Sequence, residues 1–141
     1  LNIIFSQIGP RQMSSGQMCY NLTHFRNKVY LEKNIDINRE NIIVDPGIGF
    51  VKQALQSADI LARISLMHAT GCTVLVGASR KSFISHLVGG AKVEERLPGS
   101  LAAAIWAYSQ GVQVFRVHDV PQTYQALALQ AAIHQRLAEA G

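Results

Sequence analysis

Apolar residues along this chain come in two spacings. Runs at 2–5, 41–45, 73–77 and 113–117 are short, apolar and rich in β-branched residues. That is the pattern of strands buried on both faces of a parallel sheet. Elsewhere the apolar positions recur every three to four residues, which predicts helices. One spans about Tyr20 to Lys33, with Leu22, Phe25, Val29 and Tyr30 on one side. A second runs from about Gln53 to Thr70, with Leu55, Ile60, Leu61, Ile64 and Met67 as its apolar stripe and Gly71 as its stop. A short helix over Ser82–Leu87, a small-residue helix over Leu101–Ser109 and a last helix over Gln122–Glu139 complete the set. Strand and helix alternate, so the chain reads as one α/β domain over residues 1–141 with parallel strands and no second domain. The alternation alone fits an open doubly wound sheet or part of a barrel. Four units in 141 residues is about half of the ~250 typical of a (β/α)8 barrel.

Each of the last three apolar runs ends in a polar block. Ile42-Ile43-Val44 leads into Asp45-Pro46-Gly47-Ile48-Gly49-Phe50, Val74-Leu75-Val76 into Gly77-Ala78-Ser79-Arg80-Lys81-Ser82, and Val114-Phe115 into Arg116-Val117-His118-Asp119-Val120. Binding groups in parallel α/β folds collect at the carboxyl ends of strands. A carboxylate, an Arg-Lys pair and an Arg-His pair on successive ends therefore suggest a pocket for an anionic, hydrogen-bonding small molecule. Asp45 can accept a guanidine-like edge with two parallel donors. Its bland reading is a turn that caps the next helix. Lys81 can reach a carbonyl or balance an anion, or else lie on a solvated helix start capped by Ser82. Arg116 and His118 share one side of their strand and suit phosphate oxygens. The plainer account of Arg116 is an internal ion pair with Asp45. Asp119 points to the other side and supports the loop or caps the last helix.

Composition narrows the classes. Hydrophobic residues make up 48% and charged ones 16%, which excludes a disordered chain. The net charge of +4 comes from scattered Lys and Arg, not from the dense basic stripe of a nucleic-acid binder. No apolar stretch approaches the ~20 residues that span a bilayer. Cys19 and Cys72 make no metal or redox spacing, which favours a reduced, cytoplasmic setting. Asn21-Leu22-Thr23 matches a glycosylation sequon by chance. The blocks satisfy neither GxGxxG nor a Walker phosphate loop, since Arg80 stands where the latter needs Gly. Ser79 and Ser82 lack the nucleophile-elbow pattern. His24, His68 and His134 are expected at helix surfaces, His86 lies after Lys81, and no pair has zinc spacing. Trp106 reads as core and Tyr108 as its partly exposed neighbour.

Taken in order, these blocks resemble the dihydropteroate synthase family. Its DPGxGF, LVGxSRKS, ERLxGSLA and RVHDV patterns fit Asp45–Phe50, Leu75–Ser82, Glu95–Ala102 and Arg116–Val120. The likeness covers about Asn41 to Leu127. Residues Leu1–Met13 resemble the family's fifth strand more weakly, with Ile4-Phe5-Ser6 where Met-His-Met is usual and Val51 in place of a common Gly. The resemblance implies the C-terminal half of a (β/α)8 barrel, strands five to eight with their helices. It implies an alkyl transferase of folate synthesis that joins p-aminobenzoate to 6-hydroxymethyl-7,8-dihydropterin pyrophosphate, releasing pyrophosphate and 7,8-dihydropteroate. Pyrophosphate leaves first and the aniline nitrogen attacks the cationic methylene.

Carried over by residue, Asp45, Gly49, Phe50, Gly77, Arg80 and Lys81 would form the pterin site. Phe50 and Ser82 would meet p-aminobenzoate. Arg116 and His118 would bind pyrophosphate and, with Lys81, be the catalytic set. No metal ligand is expected here: the Asn that helps to hold Mg2+ belongs to the family's first half, as do a pterin-binding Asp and Asn and two mobile loops. Leu1 is not an initiating Met, which places the natural start upstream. The expected partners are the two small-molecule substrates and a second copy in a homodimer, with no nucleic acid or membrane. Two other functions compete. One is a methyltetrahydrofolate-type pterin-binding methyltransferase domain, which has no pyrophosphate for Arg116 and His118 to hold. The other is a non-catalytic half-barrel remnant or auxiliary subunit, whose open strand edges would favour association.

Overall fold

The apolar runs do form strands. The computed structural model describes residues 2–5, 18–21, 39–49 and 54–140. Its strands are β1 (Asn2–Phe5), β2 (Met18–Asn21), β3 (Ile42–Asp45), β4 (Thr73–Val76) and β5 (Val114–Val117). The helices are α1 (Ala54–Ala62), α2 (Ser82–Leu87), α3 (Leu97–Ser109) and α4 (Val120–Glu139). Every strand pairing is parallel, in the spatial order β1-β5-β4-β3-β2. Val44 lies opposite Val74, and Val76 opposite Phe115.

The first strand is not where the sequence placed it. β1 was expected beside β3, as fifth strand next to sixth. It pairs with β5 instead, with Phe5 opposite Val117. The neighbour of β3 is β2, with Tyr20 opposite Val44. Met-Cys-Tyr-Asn has no β-branched residue, unlike the apolar runs read as strands, and it overlaps the start of the helix expected from Tyr20. The rest of that helix lies outside the described residues.

Period-two alternation divides the sheet into two faces. Ile42, Val44, Val74, Val76, Phe115 and Val117 join a large core cluster. All four helices feed that same cluster, through Leu61 from α1, Phe83 and Ile84 from α2, Ala104 and Ala107 from α3, and Leu127 from α4. Ile43, Leu75 and Val114 form a separate small cluster on the other face. Among the described residues the helices therefore cover one face only. A doubly wound sheet carries helices on both.

The helix expected over 53–70 is two pieces. α1 stops at Ala62, and a tighter 3₁₀ segment, Ile64–Thr70, follows. Gly71 ends it in the left-handed conformation (φ 70°), its N–H donating to the His68 carbonyl at 2.9 Å. Leu55, placed on the apolar stripe, is 68% exposed. The inward position is taken by Ser57, which is fully buried and accepts the Gly49 N–H at 3.3 Å. α3 begins at Leu97, earlier than expected, because Pro98 fits a first helical turn. Its inward positions are small, Ala104 and Ala107, and Trp106 is pushed to the rim at 47% exposure, donating its indole N–H to the Leu61 carbonyl at 2.9 Å. His68 is half-buried, not on the surface, with Nε2 2.9 Å from the Gln110 carbonyl. No helix among the described residues is long and apolar enough to cross a membrane.

Helices α2 and α3 touch closely at Gly99. A Cβ there would strike Cγ2 of the buried Ile84. Gly99→Ala is expected to lower stability by about 1–3 kcal/mol through overpacking, read as a lower urea midpoint.

Candidate active site at the strand ends

The same alternation builds the site. Asp45, Gly77 and Arg116 share the face of Ile43, Leu75 and Val114, one step further toward the carboxyl ends of β3, β4 and β5. Asp45 is buried, and its Oδ1 accepts the Gly47 N–H at 2.8 Å. Gly47 sits at φ 68° and Gly49 at φ 74°, conformations that side chains with a Cβ resist. The turn they allow folds the Pro46–Gly49 backbone back beneath Lys81. A Cβ on Gly49 would lie 3.0 Å from Lys81 Cδ. Asp45 Oδ2 lies 3.7 Å from Arg116 Nη2, so the internal ion pair weighed from the sequence is present.

The guanidinium of Arg116 lies over Gly77. A Cβ there would sit 2.8 Å from Nη2 and 2.9 Å from Nε. This is a close approach that only glycine permits without displacing the arginine. Lys81 stands beside the pair. Burial, aided by the Arg116 charge, pushes its ammonium below the ordinary lysine pKa, against an opposing pull from Asp45. One buried carboxylate and two cations thus lie together, Arg116 over Gly77 and the Lys81 stem over Gly49.

Arg80 and His118 take different partners. Arg80 Nε donates to Asp119 Oδ2 at 2.9 Å, and its Nη2 meets Oδ1 of the same carboxylate in a two-pronged pair. Hydrogen bonding from Arg80 holds the Asp119 carboxyl below its ordinary pKa, and that bond raises Arg80 in turn. Asp119 is therefore a loop support, as expected. It begins α4 but caps it without a side-chain bond. His118 is exposed just beyond β5, with Nδ1 3.1 Å from Ser79 Oγ. The His118 backbone N–H donates to that same oxygen at 3.2 Å.

The structure thus brings together Asp45, Gly49, Gly77, Lys81 and Arg116. It sets Arg80 and His118 at the edge, on Asp119 and Ser79. Ser82 is the exposed first residue of α2, whose cap is Lys81, so it is not the helix cap that its position suggested. Phe50 lies outside the described residues. Sequence reasoning gave no supporting role to Ser57, Ser79, Arg96 or Ser100. A buried serine that accepts a loop N–H carries no local pattern; Ser79, Arg96 and Ser100 were marked only by lying inside the LVGxSRKS and ERLxGSLA matches, and Ser57 by nothing.

Gly77→Ala tests the close approach. The obstacle is the far end of a flexible side chain, so the fold should survive while Arg116 is displaced. Affinity for a ligand that bears phosphate is expected to fall about tenfold, ~1.4 kcal/mol, by calorimetry, with little change in melting temperature.

Comparison with known proteins identifies the class. The sequence profile of the pterin binding enzymes matches residues 19–118, and the chain belongs to that family. Relatives that it matches within the family include dihydropteroate synthases. The Escherichia coli K12 enzyme is 43% identical over 91 residues, 64% of this chain and 32% of its own length. A crystal structure of the Yersinia pestis enzyme superposes with a TM-score of 0.64 at 37% identity, covering 67% of this chain and 39% of that one. The Xanthomonas albilineans enzyme, solved with 4-aminobenzoic acid, gives a TM-score of 0.67 at 37% identity over 70% of this chain and 36% of that one. The chain thus spans about a third of the length of these relatives.

Proposed function

We propose that β2 to β5 are strands five to eight of a dihydropteroate synthase barrel, with β1 beside the last of them. In the completed barrel its strand ends would carry the condensation of 6-hydroxymethyl-7,8-dihydropterin pyrophosphate with p-aminobenzoate. The observation that carries this reading is the meeting of Lys81 and Arg116 at the buried Asp45, with Arg116 lying over Gly77 and the Lys81 stem over Gly49. One-sided helix cover supports the barrel.

Asp45 accepts the amino-pyrimidine edge of the pterin, which presents two parallel donors much as a guanidinium does. That edge competes with Arg116 for the carboxylate and so turns the arginine fork toward the pyrophosphate. Lys81 bonds the pterin carbonyl or ring nitrogen. His118, oriented by Ser79, is a second pyrophosphate donor. Phe50 and Ser82 border the p-aminobenzoate position. The bond between the methylene carbon and the bridging oxygen breaks, both electrons leaving with pyrophosphate. The aniline lone pair then forms the C–N bond, and the nitrogen loses one proton. This chemistry needs charge neutralisation and positioning more than acid–base work. Among the described residues no three His, Cys, Asp or Glu side chains meet as a metal site.

Calorimetric titration with dihydropterin pyrophosphate tests the reading, on this chain and on the chain joined to the remaining barrel strands. Binding that is abolished by Asp45→Ala is expected. Absence of binding in both forms would sink the proposal.

A further inference from the structure

We propose that Arg96 and Ser100 are positioning residues, gripping the backbone of Arg80 from both sides and so setting the geometry of Arg80 and Lys81. The stretch Glu95–Ala102 lies on no strand end, and the chemistry above gives it no task. The contacts of Arg80 supply one. Arg80 is the single non-glycine residue at positive φ among the described residues, at 56°. A side chain with a Cβ holds that conformation only where its surroundings impose it.

Here the surroundings are one short segment. The Arg80 N–H donates to Ser100 Oγ at 2.9 Å. Ser100 Oγ–H donates to the Arg96 carbonyl at 2.7 Å, which leaves its lone pair for Arg80. The Arg80 carbonyl accepts from Arg96 Nη1 at 3.0 Å. Arg96 is itself fixed, its Nε donating to the Ala91 carbonyl at 3.0 Å. Ser100 is buried, and Gly99 beside it allows α3 to approach α2 closely enough for the reach. Arg, Gly and Ser of this motif thus each have a distinct part.

The grip lies directly before Lys81. Turning the chain at Arg80 sends its guanidinium to Asp119 and lays the Lys81 stem across Gly49. Without the grip, Arg80 should relax to negative φ, and Lys81 should swing away from Asp45 and Arg116 into water.

The test uses the full chain with Ser100→Ala, Ser100→Thr and Arg96→Lys. Arg96→Lys keeps the charge but can grip one carbonyl only, and it serves if Ser100→Ala does not fold. NMR amide exchange at Arg80 is expected to quicken at least about tenfold in Ser100→Ala, with β4 and α4 amides unchanged, and to recover in Ser100→Thr. The Lys81 side-chain titration should move up toward that of an ordinary lysine in both Ser100→Ala and Arg96→Lys, because it leaves its buried position. A unchanged Arg80 amide with an unchanged Lys81 titration overturns the proposal. Uniform acceleration of all amides overturns it too, since it marks a general stabilising role. The ligand consequence, about a tenfold loss of dihydropterin pyrophosphate affinity, rests on the pterin reading above. If Arg80 and Lys81 respond as expected but the wild-type chain and its completed form bind no pterin, the grip stands and that reading fails.

Discussion

Asp45→Ala is expected to abolish dihydropterin pyrophosphate binding, a loss of at least about 100-fold or ~2.7 kcal/mol, read by calorimetry. Asp45 is 4% exposed, so a ligand edge seated on it meets a carboxylate with little competing water. The change should also cost about 1–3 kcal/mol of stability, because the Gly47 N–H loses its acceptor in a buried turn. The Arg116 side chain is 37% exposed and can hydrate once unpaired, which keeps that cost from rising further. Asp45→Asn should separate the effects. It retains an acceptor for Gly47, so stability should largely return, while one of its two acceptors becomes a donor and binding stays weak. Affinity within threefold of wild type in Asp45→Ala would remove this carboxylate from the site.

Arg116→Ala should cost about 2–4 kcal/mol of transition-state stabilisation in the completed barrel, measured as kcat/KM for the pyrophosphate substrate. Arg116 and Asp45 are in contact, so their double variant should lose less than the two single losses combined. A pH profile gives an independent reading. Lys81 carries a lowered pKa, so it sheds its charge at lower pH than an ordinary lysine, and anion affinity should fade early on the alkaline side. Arg116 is one cause of that lowering. Its removal should therefore move the alkaline limb to higher pH even as overall affinity drops. An unchanged rate would exclude Arg116 from the chemistry.

The sequence made β3, β4 and β5 legible because each is a buried apolar run that ends in glycine, proline or charge. Their blocks marked the candidate site for the same reason: parallel strands deliver their last residues to one end. β2 was illegible because Met-Cys-Tyr-Asn holds no β-branched residue and runs straight into a stretch with helical spacing. Leu55 was misplaced because α1 buries Ser57 and Leu61, four residues apart, and Leu55 lies off that stripe. Trp106 was misplaced because size decided against burial: the inward positions of α3 hold alanine. The pair of Arg80 with Asp119 and its backbone grip by Arg96 and Ser100 join segments far apart in the chain, and no local pattern announces such contacts.

The strand order has a consequence for how the chain acquires its shape. The three strands that carry the polar blocks are consecutive in sequence and adjacent in space, β3-β4-β5, while β1 and β2 lie outside them. Joining β3 to β4, or β4 to β5, closes a loop of a few tens of residues. Joining β1 to β5 closes nearly the whole chain, at a higher entropic cost and a slower rate. The central strands can therefore assemble first and the β1 edge last. On a ribosome, the contact between Asn2 and Val114 has to wait until the chain as far as β5 has emerged, and by then the ends that hold Asp45 and Gly77 can already stand side by side.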